Sequence, residues 1–448
     1  TETIDVKGKS SKDVPIQKTD HGVLLEPFMK EMGMSDSTVQ KYQTSLYWSL
    51  QNVPTSAGAL ALLPTAKSAK EFGEFLFEND VCPLVNNIIC VDKDKSKINI
   101  LFLVPFCNFT TMGTLIKNAQ IVNEGQIFQG HLLIEGERIS KIFKSDDDIT
   151  EIEKNHEVND IRNNYLLPGV IDDQCHFREP GLTHKGNIQS ESRAGLAGGV
   201  TSYFEMPNVN PTTTNRKNLQ AKFDLAATKS HANYSFYMGA SNTNIDEIKQ
   251  LDNTLACGLK VFMGASTGDM LVDNQDTLDA IFREAPVNIV THCEDTPTII
   301  ENEKAIIAKY GEDLDATFHP AIRSAEACLK SSQLAYDLAT KHGSNLHILH
   351  LTTADEMKLF AEGDIIGKKI TAEVCVHHLF FSEAAYKTHG NLIKCNPSVK
   401  SEQDRLALID AVQKNKIDII ATDHAPHTWE EKQQPYLQAP SGLPLNQH

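Results

Sequence analysis

A chain of 448 residues, 40% hydrophobic and 23% charged, has the length of a large barrel with one or two satellites and the composition of an ordinary globular protein. Its formal net charge of -17 excludes a phosphate-backbone partner, which needs clustered Lys and Arg, although one or two well-placed arginines suffice for a small anion. The nine cysteines are odd in number and form no Cys-x-x-Cys pair, the N-terminus has no signal-peptide h-region, and the longest apolar run (98–106) falls far short of the roughly 20 residues of a membrane span, so a reduced, cytoplasmic protein without membrane association is expected.

Residues 1–111 carry two helical patterns. One follows Ser35-Asp-Ser with Val39, Tyr42, Leu46 and Leu50 on one face; the other carries Phe72, Phe75 and Leu76. Strand-like runs follow at 84–91 and 98–104, and with no convergent ligand cluster the segment is expected to be an α+β appendage. At Met112 the texture changes. Runs at 115–122, 131–134 and 139–143, separated by Gly-containing turns, predict a small β domain over 112–165. From 166 to 448 apolar strands alternate with helical segments. Candidate strands at 166–172, 201–206, 232–238, 258–263, 287–292, 346–351, 369–374 and 417–422 make eight, as a (β/α)8 barrel requires, and chemistry is expected at or just beyond their C-terminal ends.

The most informative stretch, 167–181, reads Leu-Pro-Gly-Val-Ile-Asp-Asp-Gln-Cys-His-Phe-Arg-Glu-Pro-Gly. It is a buried strand that turns abruptly polar and stops on a Pro-Gly turn. Alternation puts Gln174 and His176 on one face, and Asp173, Cys175 and Phe177 on the other. Four other strand ends offer ligands: Lys260 in Gly-Leu-Lys-Val-Phe, His292 in Thr-His-Cys-Glu, His350 in Leu-His-Ile-Leu-His, and Asp423 in Ala-Thr-Asp-His-Ala-Pro-His. Nitrogen and oxygen donors of this kind suit Zn²⁺ or another first-row divalent ion, which activates water and polarises an amide carbonyl. Singly, each has a blander reading. His347 and His350 are three apart, so at most one should enter the barrel, and periodicity does not choose between them. Lys260 could be a buried lysine paired with a carboxylate, and Arg178 a surface partner of Glu179.

Taken together, over about residues 112–448, these motifs resemble the dihydroorotases of the amidohydrolase superfamily. The stretch 172–181 is similar to their Asp-x-His-x-His-x-Arg-Glu-Pro-Gly signature, with Gln174 in place of the first histidine. The resemblance implies a small β-sandwich preceding a metal-dependent hydrolase barrel. It also implies reversible cyclisation of N-carbamoyl-L-aspartate to L-dihydroorotate in de novo pyrimidine biosynthesis. On that resemblance His176, Lys260, His292, His350 and Asp423 hold one or two zinc ions. Lys260 is carboxylated and bridges them, Asp269 being the alternative bridge. Gln174 either ligates through its amide oxygen or only hydrogen-bonds. Asp423 is general base, then general acid. Arg178, Asn208 and His427 hold the substrate carboxylate. The family normally continues past Pro444, so barrel closure is expected to be short of its usual end.

Two rival readings remain at this stage. Another cyclic amidase, of the allantoinase or hydantoinase kind, is disfavoured by Arg178 and Asn208. A non-catalytic partner of aspartate transcarbamoylase is favoured by Gln174 and the short C-terminus, and disfavoured by the retained ligands. Homo-oligomerisation is left open.

Overall fold

The computed structural model describes residues 88–92, 97–100, 113–123, 125–136, 138–264 and 270–447. The two N-terminal helical patterns and Asp269 lie outside the described residues.

Seven strands come first: β1 Ile88–Asp92, β2 Lys97–Ile100, β3 Thr114–Asn123, β4 Gln126–Glu135, β5 Arg138–Lys144, β6 Glu157–Asp160 and β7 Tyr165–Pro168. They form one sheet in the order β2-β1-β7-β3-β4-β5, with β6 parallel to β3. The strands expected at 115–122, 131–134 and 139–143 are present, as β3 to β5. Strands β1 and β2 join the same sheet through antiparallel pairing of β1 with β7. Alternation along β3 buries both faces. Leu115 packs with Leu133, Phe143 and Ile149, whereas Ile116 packs with Leu132, Ile134 and Leu166. A register shift between Ile116 and Ala119, where Asn118 has φ +56°, brings Ala119 and Ile121 onto the Ile116 side.

The run expected as one strand at 166–172 is split. Leu166 and Leu167 belong to β7, and the chain crosses at Gly169 into β8, Val170–Cys175. A side chain at Gly169 would run into Thr201 Oγ1, so only glycine fits the crossing. The parallel ring continues with β9 Val200–Glu205, β10 Asn233–Gly239, β11 Gly258–Phe262, β12 Ile289–His292, β13 Leu346–Ile348, β14 Ile370–Cys375 and β15 Ile419–Ala421. Each strand pairs in parallel with the next, as the eight-strand expectation requires. The ring closes where Cys175 bridges His424, His176 N–H donates to His424 O at 2.7 Å, and Thr422 N–H and Oγ1–H donate to Asp172 at 3.1 and 2.5 Å.

Helices between the strands bury their apolar stripes against the outside of the ring. In the helix Gln275–Glu284 the buried residues are Leu278, Ile281 and Phe282, at the i, i+3, i+4 spacing of one helical face. They join Leu259, Val261, Ile289 and Leu346 in the main core, each large side chain contributing about 1.5–3 kcal/mol of burial. Asn187, Asn215, Asn274, Asp295, Ser324 and Ser401 cap the longer helices, each side chain accepting a first-turn N–H. Among the described residues no helix is long and apolar enough to cross a membrane. Cys175, Cys257, Cys293, Cys328, Cys375 and Cys395 are free thiols.

Candidate metal-dependent active site

The site forms where the C-terminal ends of the barrel strands meet. Ring closure brings two distant segments together. The bonds that join β8 to the chain after β15 set Asp423 against both Gln174 and His176. Gln174 Nε2 donates to Asp423 Oδ1 at 3.1 Å, and His176 Nε2 lies 3.1 Å from the same oxygen. His176 Nδ1 donates to Asn208 Oδ1 at 2.8 Å. Burial keeps His176 below its ordinary value, against the pull of Asp423. In the neutral ring Nδ1 therefore carries the proton and Nε2 presents a lone pair to a carboxylate oxygen. An acceptor held 3.1 Å from an acceptor is an arrangement that a cation between them resolves.

A second pair stands on β12 and just beyond β13. His292 Nδ1 lies 3.0 Å from His350 Nε2, while His292 Nε2 donates to Glu294 Oε2 at 2.9 Å. Burial would raise the Glu294 carboxyl, but Arg323 and then His292 outweigh it and hold it at about 2. This carboxylate fixes the His292 ring with Nδ1 as its free lone pair, the orientation metal-ligating histidines adopt. Burial, reinforced by His292 and Lys260, pushes His350 well below its ordinary value, and its Nδ1 has no hydrogen-bond partner. Two ligands of one tetrahedral zinc ion stand about 3.3 Å apart. Both pairs are close to that spacing, so the residues present fit first-row divalent ions.

Lys260, on β11, is fully buried with Nζ 4.7 Å from the Phe262 ring centre. Burial lowers its amine to about 8 against the pull of Asp423 and Glu373. Its charge in turn helps to lower His176, His292 and His350. Burial would raise the Asp423 carboxyl, yet the His176 ring beside it, with His377 and Lys260, leaves it net lowered and ionised.

Arg178 and His427 line the mouth. Arg178 is 7% exposed, its Nε donates to Pro426 O at 3.0 Å, and Nη2 lies 3.1 Å from His427 Nε2. Among the described residues no carboxylate pairs with it. Glu179, its chain neighbour, pairs instead with Lys229 and accepts from Ile188 N–H. Burial and the cations Arg178, Lys185 and Lys432 hold His427 well below its ordinary value, so the ring is neutral. Asn208 touches His176, and no contact joins it to Arg178.

Two expectations are corrected. His347 and His350 both face the barrel interior. Strand β13 ends at Ile348, and His350 takes a left-handed φ of +36°, which turns it inward and breaks the alternation. Asp173 does not turn away from Gln174. Strand pairing is irregular between Asp172 and Cys175, and Asp173 Oδ2 meets His347 Nε2 at 3.4 Å inside the ring. Glu373 Oε2 lies 3.3 Å from the same nitrogen, while its Oε1 accepts from His350 N–H at 2.9 Å, so this carboxylate braces both histidines. Arg178 (φ +67°) and Asp423 (φ +47°) share the left-handed strain of His350, a local cost borne where side chains must be aimed. Sequence reasoning passed over Glu294, although its place two residues after His292 in Thr-His-Cys-Glu signals a carboxylate beside the ring. It passed over Glu373 as well, although Glu373 sits on a candidate strand.

Residues 165–441 match the amidohydrolase family, and the chain belongs to it. It is 32% identical over 342 residues to the dihydroorotase of Enterococcus faecalis, covering 74% of this chain and 76% of that protein. It is 30% identical over 339 residues to the dihydroorotase of Methanosarcina mazei, covering 73% and 72%. Among solved structures, the L-hydantoinase (dihydropyrimidinase) of Arthrobacter aurescens superposes with a TM-score of 0.69 at 24% identity over 75% of each chain, a likeness of fold.

Proposed function

We propose that the protein is a dihydroorotase, a cyclic amide hydrolase that interconverts L-dihydroorotate and N-carbamoyl-L-aspartate. The observation that carries this reading is the buried Arg178 guanidinium, which has no carboxylate partner among the described residues and stands at the mouth beside His427. A buried charge is retained only where something pairs with it, and a ligand carboxylate is the partner a guanidinium fork suits. Neutral cyclic amides, the substrates of hydantoinases and dihydropyrimidinases, supply none. The curated relatives at 30–32% identity are dihydroorotases, which supports the same choice.

His176 with Asp423, and His292 with His350, would hold zinc or a similar ion. Lys260, carboxylated, would serve as the anionic bridge, its lowered amine favouring the neutral form that adds carbon dioxide. When bound, such ions supply a water nucleophile at neutral pH and polarise the amide carbonyl. Arg178 and His427 orient the substrate by its carboxylate. Asp423 takes the proton of the attacking water as the carbon–oxygen bond forms. It returns that proton to the ring nitrogen as the carbon–nitrogen bond breaks. Gln174 holds Asp423 in place through its amide N–H. The free thiols suit a reducing, cytoplasmic setting. Cyclisation of N-carbamoyl-L-aspartate by metal-loaded protein, abolished by chelation and restored by zinc, is the expected result. Absence of cyclisation at any metal loading would refute the proposal.

A further inference from the structure

Beside the two donor pairs lies a third group that neither the expected ligand set nor the proposed chemistry uses. Strand β14 ends on Cys375, and a short helix, Val376–Phe380, follows at once. Cys375, His377 and His378 are 0%, 2% and 3% exposed, and one ligand atom from each lies within 4.8 Å of the others. The polar atoms here are poorly satisfied. Neither ring nitrogen of His377 has a hydrogen-bond partner. His378 Nε2 donates to Pro397 O at 3.1 Å, which leaves Nδ1 as a lone pair, and that atom too has no partner. The Cys375 thiol has only long contacts, 3.7 Å to Gln174 Oε1 and 3.7 Å to Glu373 Oε1.

Each unsatisfied buried polar atom costs about 1–3 kcal/mol, and three beside one thiol call for a common partner. A proton-bearing ligand would satisfy the nitrogens but not use the sulfur. A thiophilic cation takes the sulfur, one His377 nitrogen and His378 Nδ1, and leaves only the second His377 nitrogen as an N–H. The backbone carbonyl that fixes the His378 tautomer is the support that metal-ligating histidines carry.

We propose that Cys375, His377 and His378 form a thiolate–imidazole site for a zinc-class ion, separate from the pairs His176/Asp423 and His292/His350. On binding, the thiol S–H bond breaks, its proton leaves to solvent, and sulfur and two imidazole nitrogens each donate a lone pair to the ion. One sulfur with two nitrogens favours Zn²⁺ or Co²⁺ over Mg²⁺ or Mn²⁺. The site stands on its own donor set, so it holds or fails whatever amide the enzyme hydrolyses.

The test is X-ray absorption of the zinc-loaded full chain, with cobalt titration as a companion. Expected is a sulfur neighbour at about 2.3 Å from zinc. A thiolate-to-cobalt charge-transfer band should appear in the near ultraviolet. Cys375→Ser should remove both signals and lower the ion count by one. His377→Asn should weaken cobalt binding in that band by on the order of 100-fold. His292→Asn, which disrupts the other site, should leave the band in place. A first shell of nitrogen and oxygen alone in the unsubstituted protein would overturn the proposal without reliance on any variant. A sulfur shell that survives Cys375→Ser would do so equally.

Discussion

Replacing Arg178 with glutamine removes the one cation proposed to hold the substrate carboxylate and leaves the backbone as it is. Both residues carry a Cβ, so the cost of φ +67° is unchanged. The guanidinium is buried, and its protein contacts are a carbonyl and a neutral imidazole. No carboxylate of the described residues forms an ion pair with it, although Asp423, Glu205, Glu431 and Glu191 attract it from farther off, so the close pairing position is left for the ligand. Removing one member of a buried, hydrogen-bonded charge pair costs about 2–5 kcal/mol. At about 1.4 kcal/mol per tenfold, kcat/KM for L-dihydroorotate falls by roughly 30-fold to several thousand-fold, chiefly through KM. Exposure of only 7% argues for the upper half of that range, because little solvent remains to screen the pair. The assay is steady-state hydrolysis of L-dihydroorotate alongside dihydrouracil, the same ring without a carboxylate. Thermal unfolding serves as the control, and the variant should unfold no earlier than the parent, since an unpaired buried cation is itself costly. An unchanged kcat/KM for dihydroorotate, or an equal loss with both substrates, would refute the reasoning.

Three further outcomes follow from the same geometry. Because the Gln174 amide donates to Asp423 and amide oxygen is a poorer zinc ligand than imidazole, the ion at His176 and Asp423 should dialyse away before the ion at His292 and His350, and Gln174→His should narrow the gap; two ions of indistinguishable affinity in the parent contradict this. Lys260→Ala should abolish hydrolysis, with short-chain carboxylic acids restoring a little of it by supplying the missing anion; an active variant would remove lysine carboxylation from the account. Burial and Arg193 push His231 down from 6.5 to about 4, so the fold favours its neutral ring. That contribution is complete above pH 6.5 and is lost as pH falls toward 4, about 1–2 kcal/mol after allowance for its partial exposure. Chemical denaturation across this range should show a flatter pH dependence for His231→Gln than for the parent.

The barrel strands were legible because a parallel strand buried on both faces reads as a short apolar run, and alternation with helical segments orders them. Positions such as His292 follow from strand ends alone. What periodicity could not give were the departures from it. His350 and Asp423 reach the site through left-handed residues just past β13 and β15, and Asp173 enters through irregular pairing in β8. A period-2 rule has no term for either. The junction at Gly169 was hidden for a related reason, since the apolar run continues across it while the chain changes sheets. The contact between His176 and Asp423 arises from ring closure, a long-range event to which local pattern is blind.

The most direct test of the central claim is the ratio of kcat/KM for L-dihydroorotate to that for dihydrouracil and hydantoin, measured on one zinc-loaded preparation and repeated after chelation. The account predicts turnover of dihydroorotate that strongly exceeds both neutral rings and disappears with the metal. Turnover of either neutral ring as efficient as that of dihydroorotate would contradict it.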